Sequence, residues 1–267
     1  MVTLTPKFPL YVIADLHLGG GSAATEKLFN AFLETLKAED SSLLILGDFF
    51  EVWVGDDVRS PLTQQVAARL KQLSQTGTAI YFVHGNRDFL LGADYAKEAG
   101  MRLLEEPVMI SGALPPIGFV HGDCLCTADE KFQAFREKSR SSTWQKRILR
   151  LPSFLRQILG KWARWRSANH GKRTITTHPT IADVSPQEVT RFMRQHGMKK
   201  LVHGHTHRLA IHQEPAGPET QRWVLGDWHN DSGSVMLITP SNTSMHTIKL
   251  TPSGEVKWSA PVQPLAH

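Results

Sequence analysis

The chain has 267 residues, 41% hydrophobic and 21% charged, with two cysteines and a formal net charge of +5. That suits a soluble globular protein of one large or two small domains. No apolar run approaches the roughly 18 residues of a membrane-spanning helix, and two cysteines exclude a disulfide framework.

The N-terminal stretch MVTLTPKFPLYVIADLHLGG has no basic region followed by an apolar core and a small-residue cleavage site. It reads as a first strand, and a cytosolic location is expected. PLYVIAD (9–15), SLLILGD (42–48), AIYFVHGN (79–86) and IGFVHGD (117–123) are short, β-rich and each closes in polar residues. Helical patterns separate the first three. In EKLFNAFLETLK the residues Leu28, Phe29, Phe32, Leu33 and Leu36 form one helical stripe, and a second helix spans Leu62 to Leu73 with Pro61 suited to its first position. Strand–helix alternation predicts βαβ units and a largely parallel, buried sheet. Cys124 and Cys126 in HGDCLCTAD are too close for an ordinary disulfide and do not match usual zinc spacings, so free thiols are expected.

Residues 129 to 173 read as helices broken at RLPSF and ending in the polar stretch SANHGKRT. Between Lys131 and Arg173 stand thirteen Lys and Arg against one acid, Glu137, a charge of +12 that leaves −7 for the other 224 residues. Such a field attracts phosphate on nucleic acid, a nucleotide or an anionic membrane. Trp144, Trp162, Trp165, Phe132, Phe135, Phe154, Leu149, Leu151, Leu155, Ile158 and Leu159 are interleaved with it, a mixture that favours anionic lipid. The plainer alternative is a solvated helical face packed on the core. A helix from Pro186 to Gln195 leads into KKLVHGHTHR, and QRWVLGD, SVMLITP and SMHTIKLT read as antiparallel strands. The final SGEVKWSAPVQPLAH is weakly patterned and is expected to be a loosely held tail.

Ligand-type residues gather where strands finish: Asp15 and His17; Asp48; Asn86, Arg87 and Asp88; His121; and His203, His205 and His207. Strand alternation would aim the last three at one face. Taken singly, such an Asp is a turn residue or helix N-cap, and a lone His or Asn is structural. Five segments converging on the strand-end crevice of an α/β sheet point instead to a metal site. Carboxylate, imidazole and amide without thiolate favour Mn, Fe, Zn, Ni or Co over a structural zinc site. Seven donors suit two ions sharing a carboxylate, with Asp48 the natural bridge. Two ions about 3.5–4 Å apart activate a water and clamp a phosphoryl centre.

The order D-x-H, G-D, G-N, H-G-D, G-H-x-H across residues 15 to 207 resembles the calcineurin-like metallophosphoesterases. The resemblance implies an α/β, αββα sandwich with an inserted helical cap: residues 1–128 and 174–267 form the core and 129–173 the cap. It puts Asp15, His17, Asp48 and His207 on a first ion and Asp48, Asn86, His121 and His205 on a second; His203 matches no ligand position. It implies two Mn²⁺ ions, whereas the donors themselves leave Fe, Zn and Co open. Many members carry a histidine after G-N; Arg87 stands there instead. A guanidinium does not usefully release a proton, so its expected role is electrostatic, clamping phosphate oxygens.

The longer strings IADLHLG, ILGDFFEVWVGDD, YFVHGNRDFLLG, HGDCLCTAD with FQAFR, and HGHTHR resemble the branch that hydrolyses a UDP-linked diacylated glucosamine in lipid A synthesis. This implies water attack on the α-phosphorus, release of UMP and a diacylglucosamine 1-phosphate, and a cap that takes up acyl chains. Peripheral docking on the cytoplasmic face of the inner membrane is implied too, with no nucleic-acid partner. Asp48, Asn86, Arg87 and His205 become catalytic residues; Asn86, Arg87, His205, Asp129, Ser167 and Lys172 become substrate contacts, Lys172 in a segment spaced differently from the family's. A nuclease or nucleotide phosphodiesterase on the same fold is the rival enzyme, and a metal-binding scaffold the rival without catalysis.

Overall fold

Alternation along short strands sorts the apolar side chains onto two opposite faces, and the layers follow from what covers each. The computed structural model describes residues 1–36, 40–110, 115–177 and 183–265, with the side chains of 168–177 excepted. The first half runs β1 (Val2–Leu4), β2 (Leu10–Ile13), α1 (Ala23–Leu36), β3 (Ser42–Leu46), α2 (Pro61–Gln75) and β4 (Ala79–Val83). α3 (Ala93–Ala99), β5 (Met101–Leu104), β6 (Val108–Ile110) and β7 (Ile117–Phe119) complete it. Then come α4 (Glu130–Arg140), α5 (Ser142–Leu149), α6 (Ser153–Thr177) and α7 (Pro186–Gln195). β8 (Lys200–His203), β9 (Ala210–Gln213), β10 (Gln221–Val224), β11 (Ser232–Ile238), β12 (Thr243–Leu250) and β13 (Val256–Trp258) end the chain.

These strands make two sheets, ordered β13-β12-β11-β2-β3-β4-β5 and β1-β6-β7-β8-β10-β9. Tyr11, Ile13, Leu43, Ile45, Ile80 and Phe82 point from the first sheet toward α1, α2 and α3; the stripe Leu28, Phe29, Phe32, Leu33 and Leu36 is buried there in full. The alternate residues Leu10, Val12, Leu44, Leu46, Tyr81 and Val83 meet Val108, Ile110, Ile117, Phe119 and Val202 of the second sheet. Met109 and Leu201 face outward onto Val189 and Met193 of α7. Helix, sheet, sheet, helix: the αββα sandwich is built from period-2 alternation. Ser60 caps α2 in a reciprocal box with Thr63, ahead of Pro61, which contributes about 1 kcal/mol.

The structure corrects several expectations. The first three anticipated strands are parallel neighbours in one sheet, but the fourth, β7, belongs to the other, beside β8. β10 pairs antiparallel with β9 yet parallel with β8. The polar SANHGKRT does not end the helical segment; α6 runs through it to Thr177, so a boundary at 173 falls inside a helix. The C-terminal segment is tied down: β13 pairs with β12, Val262 N–H donates to Met245 O (2.7 Å) and Leu265 N–H to Ile211 O (2.9 Å). Trp258 packs on Tyr11 and Phe32, burial that a three-residue alternation scarcely announces.

The basic helices α4 to α6 attach differently. α4 buries Ser139, α5 buries nothing, and the buried residue among the described side chains of α6 is Arg156. Arg156 donates to Val54 O and holds both oxygens of Asp57. α6 lies close on that loop: a Cβ on Gly160 would come within 2.7 Å of Val54, and one on Gly55 within 2.2 Å of Arg156 Nη1. Phe154, Ile158, Trp162 and Trp165 face outward, the last 65% exposed.

Candidate metal centre

Each donor-bearing loop leaves its strand by a sharp backbone turn. Asp15, Asp48 and His121 lie two residues beyond β2, β3 and β7, Asn86 three beyond β4, and His205 two beyond β8. Asp15, His17, Asp48, His205 and His207 all have left-handed backbones, with φ between 49° and 65°. Non-glycine residues rarely adopt that conformation, which costs of order 1–3 kcal/mol each and persists where surrounding structure enforces it. The enforcement is visible. Asp15 N–H donates to Gly47 O (3.1 Å), His17 N–H to Asp48 O (3.0 Å) and Gly204 N–H to His121 O (2.9 Å), so the loops hold one another. Glycines permit the approach: a Cβ on Gly85 would lie 2.2 Å from Asp48 N and Oδ1, and one on Gly204 2.1 Å from Asp15 Oδ2.

Two adjoining groups result. Asp15, His17 and His207 form one and Asp48, His121 and His205 the other, the donor atoms of each lying within 4.8 Å of one another. His17 Nε2 and His207 Nε2 converge to 3.3 Å, and His207 Nε2 stands 3.5 Å from Asp15 Oδ1. In the second group His121 Nε2 is 3.6 Å from Asp48 Oδ1 and 3.0 Å from Asn86 Oδ1, while its Nδ1 faces Leu46 O at 2.9 Å. All seven expected donors therefore come together.

The donor set fits divalent cations. Asp15 Oδ1 is buried without a hydrogen-bond partner, a state that a cation would relieve. Burial opposes charge on His121, but Asp48, Asp15 and Asp123 outweigh it and hold its pKa raised, at about 9. Positive charge is thus favoured at that point. Burial opposes the carboxylate of Asp15, yet the nearby imidazoles, His207 foremost and then His121 and His17, bring its pKa down to about 2. Burial, with His121 beside it, pushes His205 down to about 4, leaving a neutral imidazole, the form a metal requires.

The other expected residues separate. Arg87 N–H donates to Asp48 Oδ1 (2.8 Å), its Nε is 4.0 Å from Asp48 Oδ2, and that Nε is buried with no acceptor. Asp88 accepts from the N–H groups of Gly85 (2.8 Å) and Phe49 (2.7 Å), bracing two ligand loops rather than facing the donors. His203 ends β8 on another side: its Nδ1 is 2.8 Å from Gly204 O, its Nε2 faces Arg222, and burial brings its pKa to about 3. The three histidines thus do not share a face, because His205 and His207 lie past the strand in left-handed turns. Asp129 caps α4 by accepting from Phe132 N–H (3.0 Å), and Ser167 is exposed on α6. The side chain of Lys172, on the same helix, lies outside the described residues.

Two carboxylates were not anticipated as site residues. Glu51 Oε2 stands 3.2 Å from His17 Nδ1, and Asp227 Oδ2 3.7 Å from His207 Nδ1. Carboxylates behind imidazole ligands fix the ring and raise its basicity. The available signals were positional: Glu51 lies three residues past Asp48, and Asp227 closes the strand-end string VLGD.

Comparison with known proteins accords with this geometry. Residues 8–209 match the family model of the calcineurin-like phosphoesterases. The UDP-2,3-diacylglucosamine hydrolase of Chromohalobacter salexigens is 42% identical over 83% of this chain and 89% of its own length. The proteins of that name from Stenotrophomonas maltophilia and Marinobacter nauticus are 41% and 43% identical, over 88% and 81% of this chain and 97% and 88% of theirs. The chain belongs to the calcineurin-like phosphoesterase family and, within it, groups with the UDP-2,3-diacylglucosamine hydrolases.

Proposed function

We propose that the chain hydrolyses the pyrophosphate of UDP-2,3-diacylglucosamine to UMP and 2,3-diacylglucosamine 1-phosphate, at a centre of two Mn²⁺ ions. The observation that carries this is the pair of adjoining donor groups with the Arg87 guanidinium beside Asp48. Asp15, His17, Asp48 and His207 would hold one ion, and Asp48, Asn86, His121 and His205 the other, Asp48 serving both. Bound ions supply Lewis-acid charge and lower the pKa of a water.

The chain's own groups do the rest. Arg87 sets a guanidinium beside Asp48, a group whose planar fork suits non-bridging phosphate oxygens. His205, neutral and held by Phe132 stacked on it (centroids 5.6 Å apart, planes at 19°), can hydrogen-bond a phosphate oxygen without adding charge. A water oxygen bonds to the α-phosphorus, the bond from that phosphorus to the bridging oxygen breaks, and the sugar phosphate departs with that oxygen. The attacking water's proton passes to solvent. A phosphate leaving group needs no proton donor, which is consistent with arginine after G-N.

The outward apolar face of α5 and α6 suits acyl chains, with Lys146, Arg147, Arg150 and Lys161 suited to anionic headgroups. Asp129, Ser167 and Lys172 are the proposed contacts from this cap. Peripheral attachment to the cytoplasmic face of the inner membrane is part of this proposal; among the described residues no helix is long and apolar enough to cross a bilayer. A polynucleotide substrate is less well served, because Arg136, Arg140, Arg156 and Arg164 are committed to acids of the core. Turnover of UDP-2,3-diacylglucosamine in detergent with Mn²⁺, abolished by chelation and restored by the ion, is the expected result. Salt-sensitive cleavage of DNA with no turnover of the lipid would overturn it.

A further inference from the structure

Two arginines of the basic helices reach the two donor groups from separate helices. From α4, Arg140 Nη2 donates to the carbonyls of His84 (3.2 Å) and Gly85 (3.1 Å), directly before Asn86, and to Asp123 Oδ2 (3.2 Å). Asp123 is fully buried, two residues past His121, and also faces Arg136 Nε at 2.9 Å. Arg136 in turn pairs with Glu106, whose Oε2 accepts from His121 N–H (2.9 Å). Both loops bearing Asn86 and His121 thus hang on one half-buried guanidinium network around the buried Asp123. From α6, Arg164 pairs with Glu51, the carboxylate behind His17.

Glu106, Asp123 and Cys124 have donor types that could hold a further cation. Two guanidinium groups already occupy that cluster, and burial, with Glu106 and Asp123 nearby, holds the Cys124 thiol well above its ordinary pKa. It is an arginine socket.

We infer that Arg140 and Arg164 are positioning residues for the metal centre, Arg140 for the Asn86–His121 group and Arg164, through Glu51, for His17. This rests on the two-ion reading. The planar peptide makes a fixed Gly85 carbonyl a fixed Asn86 nitrogen, and an imidazole ligand binds best when its second nitrogen is held. Lysine would keep the charge opposite Asp123, but its shorter stem does not carry the ammonium to the position of Arg140 Nη2, the one nitrogen that meets both carbonyls and Asp123. Linkage adds a reciprocal consequence: if seating of the helices strengthens ion binding, ion binding strengthens seating by the same factor.

The test is Mn²⁺ binding to the full-length chain, by equilibrium dialysis with metal analysis, for wild type, Arg140→Ala, Arg140→Lys, Arg164→Ala and the remote surface variant Arg191→Ala. Wild type and Arg191→Ala should bind two ions. Arg140→Ala and Arg164→Ala should each weaken one ion by about 10–100-fold, with partial recovery in Arg140→Lys. Trypsin cleavage within residues 146–166 should slow on adding Mn²⁺ to wild type, and lose that response in Arg164→Ala. Melting of the metal-free proteins separates lost folding from lost positioning, and Arg140→Lys with Arg164→Ala decides the matter if Arg140→Ala does not fold. Wild-type affinity and stoichiometry in Arg164→Ala and either Arg140 variant would overturn the inference. A wild-type chain that binds no divalent ion would instead overturn the metal reading itself.

Discussion

The ligand loops and the basic helices are built on opposite principles. In the loops the main chain does the positioning: five non-glycine residues are held left-handed, the loops hydrogen-bond one another, and glycines admit the carboxylates. In α4 to α6 arginines reach inward to acids, Phe132 stacks on His205, Trp144 meets Phe89 and Ile148 packs on the core, while Phe154, Ile158, Trp162 and Trp165 face outward. In the proposed function, chemistry rests on that over-determined backbone and substrate choice on a segment fastened largely by ion pairs, with few fully buried apolar side chains and so a low expected local stability.

The sharpest way to break that contrast is Asp48→Ala. Loss of the shared carboxylate should take turnover to background and remove bound Mn²⁺, as read by product formation and metal analysis; near-normal activity would sink the assignment of the loops. Gly85→Ala should come next. Its Cβ would sit 2.2 Å from Asp48 N and Oδ1, and neither loop can yield easily. Overpacking there should cost about 1–3 kcal/mol in denaturant unfolding, and a shift of about 1 Å in Asp48 roughly a hundredfold in kcat. An unchanged kcat would mean that the loops are looser than their geometry implies. Arg87→Lys keeps a charge but loses the fork. A loss of about 1.5 kcal/mol, or roughly tenfold in kcat/KM, is expected in steady-state assays, and full activity would remove the clamp. Trp165→Ala should do least to the fold, changing unfolding free energy by less than about 0.5 kcal/mol. KM for the diacylated substrate should rise while hydrolysis of a water-soluble phosphodiester is unchanged; equal losses on both would erase the division of labour.

Much of this division was legible in the residues. The stripe from Leu28 to Leu36, the Pro61 helix start and the strands around Val12, Ile45 and Phe82 follow from period and composition, and all seven donors stand in strand-end strings. What escaped depends on contacts through space. β7 carries the same apolar signature as its predecessors, so nothing local says that it crosses to the second sheet. His203 differs from His205 and His207 in backbone conformation, not in sequence context. The thirteen cations of the basic segment look alike in a string. Their sorting depends on Glu51, Asp57, Glu106 and Asp123, which are distant in sequence and brought near by the fold. Ring orientation by Glu51 and Asp227 is equally invisible without it.

The most direct single measurement is hydrolysis of UDP-2,3-diacylglucosamine by the Mn²⁺-loaded protein in water enriched in ¹⁸O, with products resolved by mass spectrometry. UMP carrying one ¹⁸O, and unlabelled diacylglucosamine 1-phosphate, is the expected outcome, lost on chelation. Label in the lipid phosphate would contradict attack at the α-phosphorus, and absence of turnover beside cleavage of a simple phosphodiester would contradict the substrate.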